Sequence, residues 1–238
     1  MKKLLLSFLL AGSLWAADLP EGYELNEDTR SPDGRYGLLY PDGPNDKELP
    51  NLLVQLKPYK VLAEIRPGVP QGATMEVSTT WSGNSTVAVH QFRQWGLTGL
   101  WVYELDGATV KRVHSVLDAV RKVFQKDFQE RVLKKYPKET ETIIFVSGEG
   151  EEHQRDSATD RGPDEGVAGR QPERSGVNPV PEFAFKGRKL VLNLFADNKP
   201  NLAPGVHWYA TLKGAWNLDT GKLEDVVLTP GEVEIRGE

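Results

Sequence analysis

From Ala73 to Val113 the chain reads ATMEVSTTWSGNSTVAVHQFRQWGLTGLWVYELDGATVKRV, where apolar residues recur at every second position and are interrupted by turn formers. Met75, Val77 and Thr79 share one face of a first strand, which Trp81-Ser-Gly-Asn84 turns. A second strand sets Val87 and Val89 against Ala88, His90 and Phe92, until Gly96 and Gly99 break the pattern. A third sets Trp101, Tyr103 and Leu105 against Leu100 and Val102, and Asp106-Gly107 closes a tight hairpin into a fourth run, Ala108 to Val113. Four successive runs of period two joined by short turns specify a four-stranded antiparallel meander, because a helix would need a period of 3.6.

The same grammar precedes it. Residues 23 to 29 form a weakly patterned candidate strand, and Arg30-Ser31-Pro32-Asp33-Gly34 is a turn with Pro preset for its second position and Gly free to take positive φ. Arg35 to Tyr40, Asn51 to Leu56 and Tyr59 to Ile65 follow as strands, the last two joined at Lys57-Pro58. Ser31 to Tyr40 aligns with Ser82 to Val89, and Leu53 to Ile65 with Leu100 to Val113, at an offset of roughly 48 to 51 residues, the length of one propeller blade. Ser31-Pro-Asp-Gly-Arg-Tyr resembles the S-P-D-G-[KR]-x turn of the propeller repeats in Tol-associated periplasmic and WD40-like families. The resemblance covers about ten residues, and it implies blade-like hairpins that serve as binding platforms.

One helix interrupts the β pattern. Val116, Leu117, Val120, Val123, Phe124, Phe128, Val132 and Tyr136 recur at spacings of three and four, with Lys and Arg on the opposite face, and predict a helix over 116–136 that Pro137 ends. Ser115 and Asp118 suit a capping box in its shorter acid form. Asp118 with Lys122, Asp127 with Arg131 and Glu130 with Lys134 place acid four residues before base, the favourable direction.

Thr140 to Val146 reads as a short buried strand. From 147 to 179 Gly, Glu, Asp, Arg, Ser and Pro dominate, and so few apolar residues cannot offset roughly 1–2 kcal/mol of backbone entropy per ordered residue. That stretch is expected to be a disordered loop. Residues 180–238 return to β, with strands at Glu182 to Lys186, Leu190 to Ala196, His207 to Leu212, Ala215 to Leu218 and Lys222 to Leu228, and an edge strand at Val233 to Ile235. The hairpin Trp216 to Leu223 matches Val102 to Ala108, which predicts a third blade-like unit.

The N-terminus has the layout of a secretory signal peptide over 1–17: Lys2 and Lys3, an apolar run from Leu4 to Leu10, and small residues for cleavage after Ala16 or Ala17. Export to the periplasm or the medium is the expectation. Leu10-Ala11-Gly12 is followed by Ser13 where a lipoprotein would carry cysteine, and no segment approaches the roughly 20 apolar residues a span needs. Absence of cysteine removes disulfides and thiol nucleophiles. With Lys2 and Lys3 removed, 27 basic residues face 34 acidic ones and the formal charge moves from −5 to −7, which disfavours nucleic acid and anionic membranes as partners.

The expected fold is therefore mainly β with one long helix, its antiparallel meanders in an open or partial propeller-like arrangement, because three units are fewer than closure requires; a β-sandwich or an α+β domain is the alternative. Two blade-like units and the helix occupy 18–146, and the third unit belongs to the same domain. No catalytic elbow, zinc helix, phosphate loop or dinucleotide fingerprint occurs, and no cofactor or metal is expected. Asp42, Asn45, Asp46 and Glu48 lack the alternation of a calcium loop, and acids between Glu149 and Glu165 lie in the loop, where a solvated linker is the simpler reading.

The binding candidates are aromatic and imidazole side chains. Trp95, Trp101, Tyr103, Trp208 and Trp216 can stack on sugars or anchor a protein, against the simpler reading that they fill a core. His90 and His207 sit in β runs beside apolar residues, where a general base competes with a half-buried structural histidine. The function these patterns support is a non-enzymatic exported binding or scaffold protein presenting a β surface to a protein or glycan; the alternative is a hydrolase of envelope or extracellular polymers, using His90, His207 and a nearby carboxylate.

Overall fold

In a computed structural model of the chain, the structure describes residues 19–42, 49–65, 76–93, 96–137, 144–148, 182–198, 205–231 and 233–236. The signal-peptide segment, Trp95, Asn45, Asp46, Glu48 and the acidic stretch from Glu149 lie outside these residues. The fold is mainly β with one helix among the described residues; its larger sheets are antiparallel and none is closed. The chain divides into two compact units, one running to Pro67 and including the hairpin tip Gly107–Thr109, the other made of the remainder.

The first unit is an antiparallel sheet of β1 (Tyr23–Asn26), β2 (Tyr36–Pro41), β3 (Asn51–Leu56) and β4 (Tyr59–Ile65), in sequence order. The first strand is shorter than its pattern predicts, because Glu27–Thr29 coils into a 3-10 turn capped by the Asn26 side chain. The serine-proline turn is built by hydrogen bonds: the Ser31 carbonyl accepts from Gly34 N at 2.8 Å, Ser31 Oγ donates to Asp33 Oδ1 at 2.7 Å and accepts from Tyr36 N at 3.0 Å. Gly34 has φ +69°, a conformation costly for any residue with a Cβ. Leu39, Leu52 and Val54 centre a small core against which Tyr23, Leu25 and Tyr59 pack.

The second unit begins with β5 (Glu76–Ser82), β6 (Thr86–Arg93), β7 (Gly96–Asp106) and β8 (Thr109–Ser115), again in sequence order. Helix α1 (Val116–Phe128) follows and ends in a π turn, Gln129–Leu133, so α-helical geometry stops eight residues short of the expected Tyr136. The apolar stripe is buried as its spacing requires: Val116, Leu117, Val120, Phe124, Phe128 and Val132 share one core with Leu100 and Val102 of β7. Of the expected ion pairs, Asp127–Arg131 closes at 3.1 Å. The cap differs from expectation, since Ser115 Oγ donates to Asp118 Oδ2 at 2.5 Å and makes no bond to the helix backbone.

A five-stranded sheet completes that core: β9 (Phe145–Gly148), β10 (Ala184–Lys186), β11 (Lys189–Asp197), β13 (Tyr209–Asn217) and β14 (Lys222–Pro230). β9 runs two residues beyond Val146, because Ser147 and Gly148 pair with Phe195 and Leu194. β9 and β10 share one edge of β11, run in the same direction and meet end to end: Gly148 stands opposite Leu194 and Ala184 opposite Val191. Together they form a first strand interrupted opposite Leu192 and Asn193, so the sheet has the plan of a four-stranded meander with a chain excursion in its first strand.

Two strands expected at 207–212 and 215–218 are one strand, β13. Gly214 does not break it, since the extra residue sits in β14, where Asp225 takes φ +54° and the register shifts between Lys213 and Ala215. His207 belongs instead to β12 (Gly205–His207), which pairs with β15 (Glu234–Arg236). Asn198 holds the approach to β13: its Oδ1 accepts from Trp208 N at 2.7 Å and its Nδ2 donates to the Val206 carbonyl at 2.9 Å.

Candidate functional site

Strand alternation decides which candidates reach solvent. His90 lies on the β6 face shared with Ala88, Leu100 and Val102; it is 6% exposed, and its ring sits 5.0 Å from that of Phe183. Neither ring nitrogen has a hydrogen-bond partner, and burial pushes its pKa down to about 4, so the imidazole is neutral at physiological pH. Among the described residues no carboxylate bonds to the ring, as an oriented general base would require. His207 is buried in the β12 ladder opposite Glu234, with its ring 5.7 Å from Tyr209.

The tryptophans divide similarly. Trp208 is fully buried, edge-on to Phe128 at 5.5 Å and to Phe124 at 6.2 Å, and its Nε1–H donates to Asp127 Oδ2 at 2.8 Å. Trp216 and Tyr103 are also buried, and burial raises the Tyr103 hydroxyl to about 12. Trp101 is half-buried, its ring over Gly99, where a Cβ would come within 1.9 Å of the indole. These side chains form no common exposed platform.

A polar cluster that no sequence motif signals joins two sheets of the second unit. Glu104 on β7 accepts from His114 Nε2 on β8 at 3.1 Å and from the Arg188 guanidinium at 2.8 Å, with Arg112 at 3.5 Å. Arg188 also donates to Asp219 at 3.0 Å, and Arg112 to the Leu218 carbonyl at 3.1 Å. Burial pushes the Glu104 carboxyl up, but the Arg188 and His114 hydrogen bonds and the two guanidinium charges outweigh it and hold the group below its ordinary value. The His114 ring lies edge-on to Trp216 at 5.8 Å. The arrangement ties the β7–β8 hairpin to the turns before β11 and after β13. Among the described residues no group of three or more His, Asp or Glu is placed to hold a metal ion.

The face of the five-stranded sheet turned away from its core offers a different chemistry, with Ser147 buried on it. Along β11 the even positions Leu190, Leu192, Leu194 and Ala196 are buried, while Val191, Asn193, Phe195 and Asp197 are half-buried or exposed. Cross-strand register aligns Phe195 with Ser147 and Thr211, Asp197 with Phe145 and Tyr209, and Asn193 with Lys213. β14 adds Thr229 opposite Thr211 and Val227 opposite Lys213, the valine 60% exposed. The rings of Phe195 and Tyr209 lie 6.0 Å apart at 28°. Tyr209 lies over Gly231, where a Cβ would come within 2.0 Å of the ring, so only glycine leaves room for it.

Tyr209 directly follows the candidate Trp208, whereas Phe195 does not stand out in the sequence. Its signal is the alternation of KLVLNLFAD, which puts a phenylalanine on the polar face of an amphipathic strand. No known protein family, curated protein or solved structure matches the chain.

Proposed function

We propose that this chain is an exported binding or scaffold protein, periplasmic or secreted after cleavage near Ala16 or Ala17, whose blade-like meanders present a β surface to a protein or glycan partner. The observation that carries this reading is the half-buried pair Phe195 and Tyr209 on the outer face of the β9–β14 sheet, while the candidate base His90 is neutral and buried beside Phe183. Three units with the plan of a four-stranded antiparallel meander support an open propeller-like arrangement. No described helix is long and apolar enough to cross a membrane, which is compatible with release after cleavage.

Mass spectrometry of the native protein should give an N-terminus at Ala17 or Asp18; a retained Met1 contradicts export. A photo-crosslinker at position 211, beside both rings, should yield adducts in envelope or extracellular extract that Phe195→Ala removes. Absence of any adduct, protein or glycan, rejects the binding reading.

The second reading, a hydrolase of envelope or extracellular polymers, moves from His90 and His207 to Glu104 and His114, favoured by their 3.1 Å hydrogen bond, the geometry of a base and its orienting carboxylate. Hydrolysis of such a polymer that His114→Ala abolishes, in a variant that remains folded, would support it.

A further inference from the structure

We infer that Phe183 and β10 form an acid-released clasp with His90 as its trigger: protonating the imidazole frees this half-strand while the rest of the sheet stays folded. The inference goes beyond the binding reading and does not use its partner surface. Position and burial carry it. His90 sits on the core face of β6, and neither ring nitrogen has a hydrogen-bond partner. A neutral imidazole tolerates that site, whereas an imidazolium would leave two N–H donors and a charge cut off from water. Its ring lies 5.0 Å from that of Phe183, the buried residue directly before β10.

Of the elements around the ring, β10 is the one that can leave. β6 is paired along its length with both β5 and β7, so its own backbone is held. β10 has three residues and pairs with β11 alone, its other side lying near β5. Short segments paired on one side open at lower cost than strands paired on both. Ser78, opposite His90 on β5, is exposed, so departure of Phe183 and β10 brings water to the imidazole across that edge.

The surrounding charges leave the imidazolium without a bonded counterion. The register sets Glu76 of β5 opposite Phe92, two residues along from Ser78, and β7 places Leu100 opposite His90. Glu182 and Lys186, on either side of Phe183, are exposed. From α1 the Arg121 guanidinium donates to the Leu97 carbonyl of β7 at 3.3 Å, and its like charge repels an imidazolium. None of these groups bonds to the ring. Burial lowers the His90 pKa from 6.5 to about 4, so the closed clasp is favoured above pH 6.5 and loses that advantage as pH falls toward 4. The opening equilibrium should rise roughly tenfold per pH unit across that window.

Hydrogen exchange of the full chain at pH 6.5 and 4.5, corrected for the pH dependence of the chemical step, tests this. Opening of the β10 amides should increase about 100-fold, while the paired centres of β11 and β13, around Leu194 and Leu212, stay protected. His90→Leu should hold β10 closed at both pH values, with His90→Phe as the second variant should the leucine protein not fold. Loss of protection in β10 and β13 together would make the acid effect global and overturn the clasp. Equal β10 opening at both pH values, or acid opening that persists in the His90 variant, would overturn it too.

Discussion

The indole Nε1–H of Trp208 donates to the carboxylate of Asp127 at 2.8 Å, joining the residue before β13 to the last turn of α1 across 81 positions of sequence. The same carboxylate oxygen accepts from Arg131 at 3.1 Å, so one acid holds the helix and clamps an aromatic that packs on Phe124 and Phe128. Phe124→Ala should destabilise by about 3–5 kcal/mol, the cost of emptying a fully buried aromatic site. Lys126→Ala, on the exposed face, should cost less than about 0.5 kcal/mol. Denaturant midpoints check both; equal, mild effects would mean that the stripe is not a core.

The collinear β9 and β10 make a deletion predictable. Removing residues 149–181 joins Gly148 to Glu182 and leaves Glu182 and Phe183 to stand opposite Asn193 and Leu192, the two unpaired positions between the half-strands. The faces agree, since Phe183 is buried in the same core as Leu192 and Glu182 is exposed like Asn193. The shortened protein should fold with a melting temperature within a few degrees of the full chain, and Glu182 and Phe183 amides should become protected in hydrogen exchange. A cooperative loss of many degrees would show that 149–181 stabilises the fold.

His90 should make stability depend on pH. Burial lowers its folded pKa from 6.5 to about 4, so the unfolded chain binds the proton more tightly. The neutral form's contribution is fully present above pH 6.5 and is lost as pH falls toward 4, a total of roughly 3 kcal/mol. His90→Leu replaces two unbonded buried nitrogens by carbon. It should raise stability and flatten this part of the profile in urea unfolding between pH 7 and 4; an unchanged slope would mean that the ring is hydrated.

Glu104 acts in the carboxylate range. Its folded pKa lies below its ordinary value, so its contribution is present above that value and disappears as acid protonates it. Glu104→Gln should lower stability at neutral pH, where it leaves Arg188 and Arg112 without their shared anion, and should narrow the gap to the native protein below pH 4. Thermal melts of both proteins across pH 3 to 7 test this. A gap of constant size would show that the carboxylate's charge contributes little.

Much of the strand plan was legible in the residues because β alternation and turn chemistry are local. Asn51–Leu56 and Tyr59–Ile65 match their predicted bounds, the serine-proline turn is closed by its own side chains, and the stripe from Val116 to Val132 is buried. Errors fell where a neighbouring strand or a side-chain cap decided the outcome. Gly214 looks like a break until β14 supplies the bulge that accommodates it, and Glu27 to Thr29 looks extended until Asn26 caps a 3-10 turn.

The candidate site was less legible. Trp208 and Tyr209 are adjacent, equally aromatic and at the same strand end, yet Trp208 is sealed against α1 and Tyr209 stands on the outer face beside Phe195. Glu104 and Arg188 are separated by 84 residues and carry no pattern that would pair them. By itself the sequence determined most strands and turns, the helix's apolar stripe and the two faces of each strand, since these follow from backbone sterics and from periods of 2 and 3.6 residues. Only the tertiary structure decided which face was covered and which charges met. A period makes two faces but does not say which one another layer will bury, and long-range partners are chosen by packing among all layers at once.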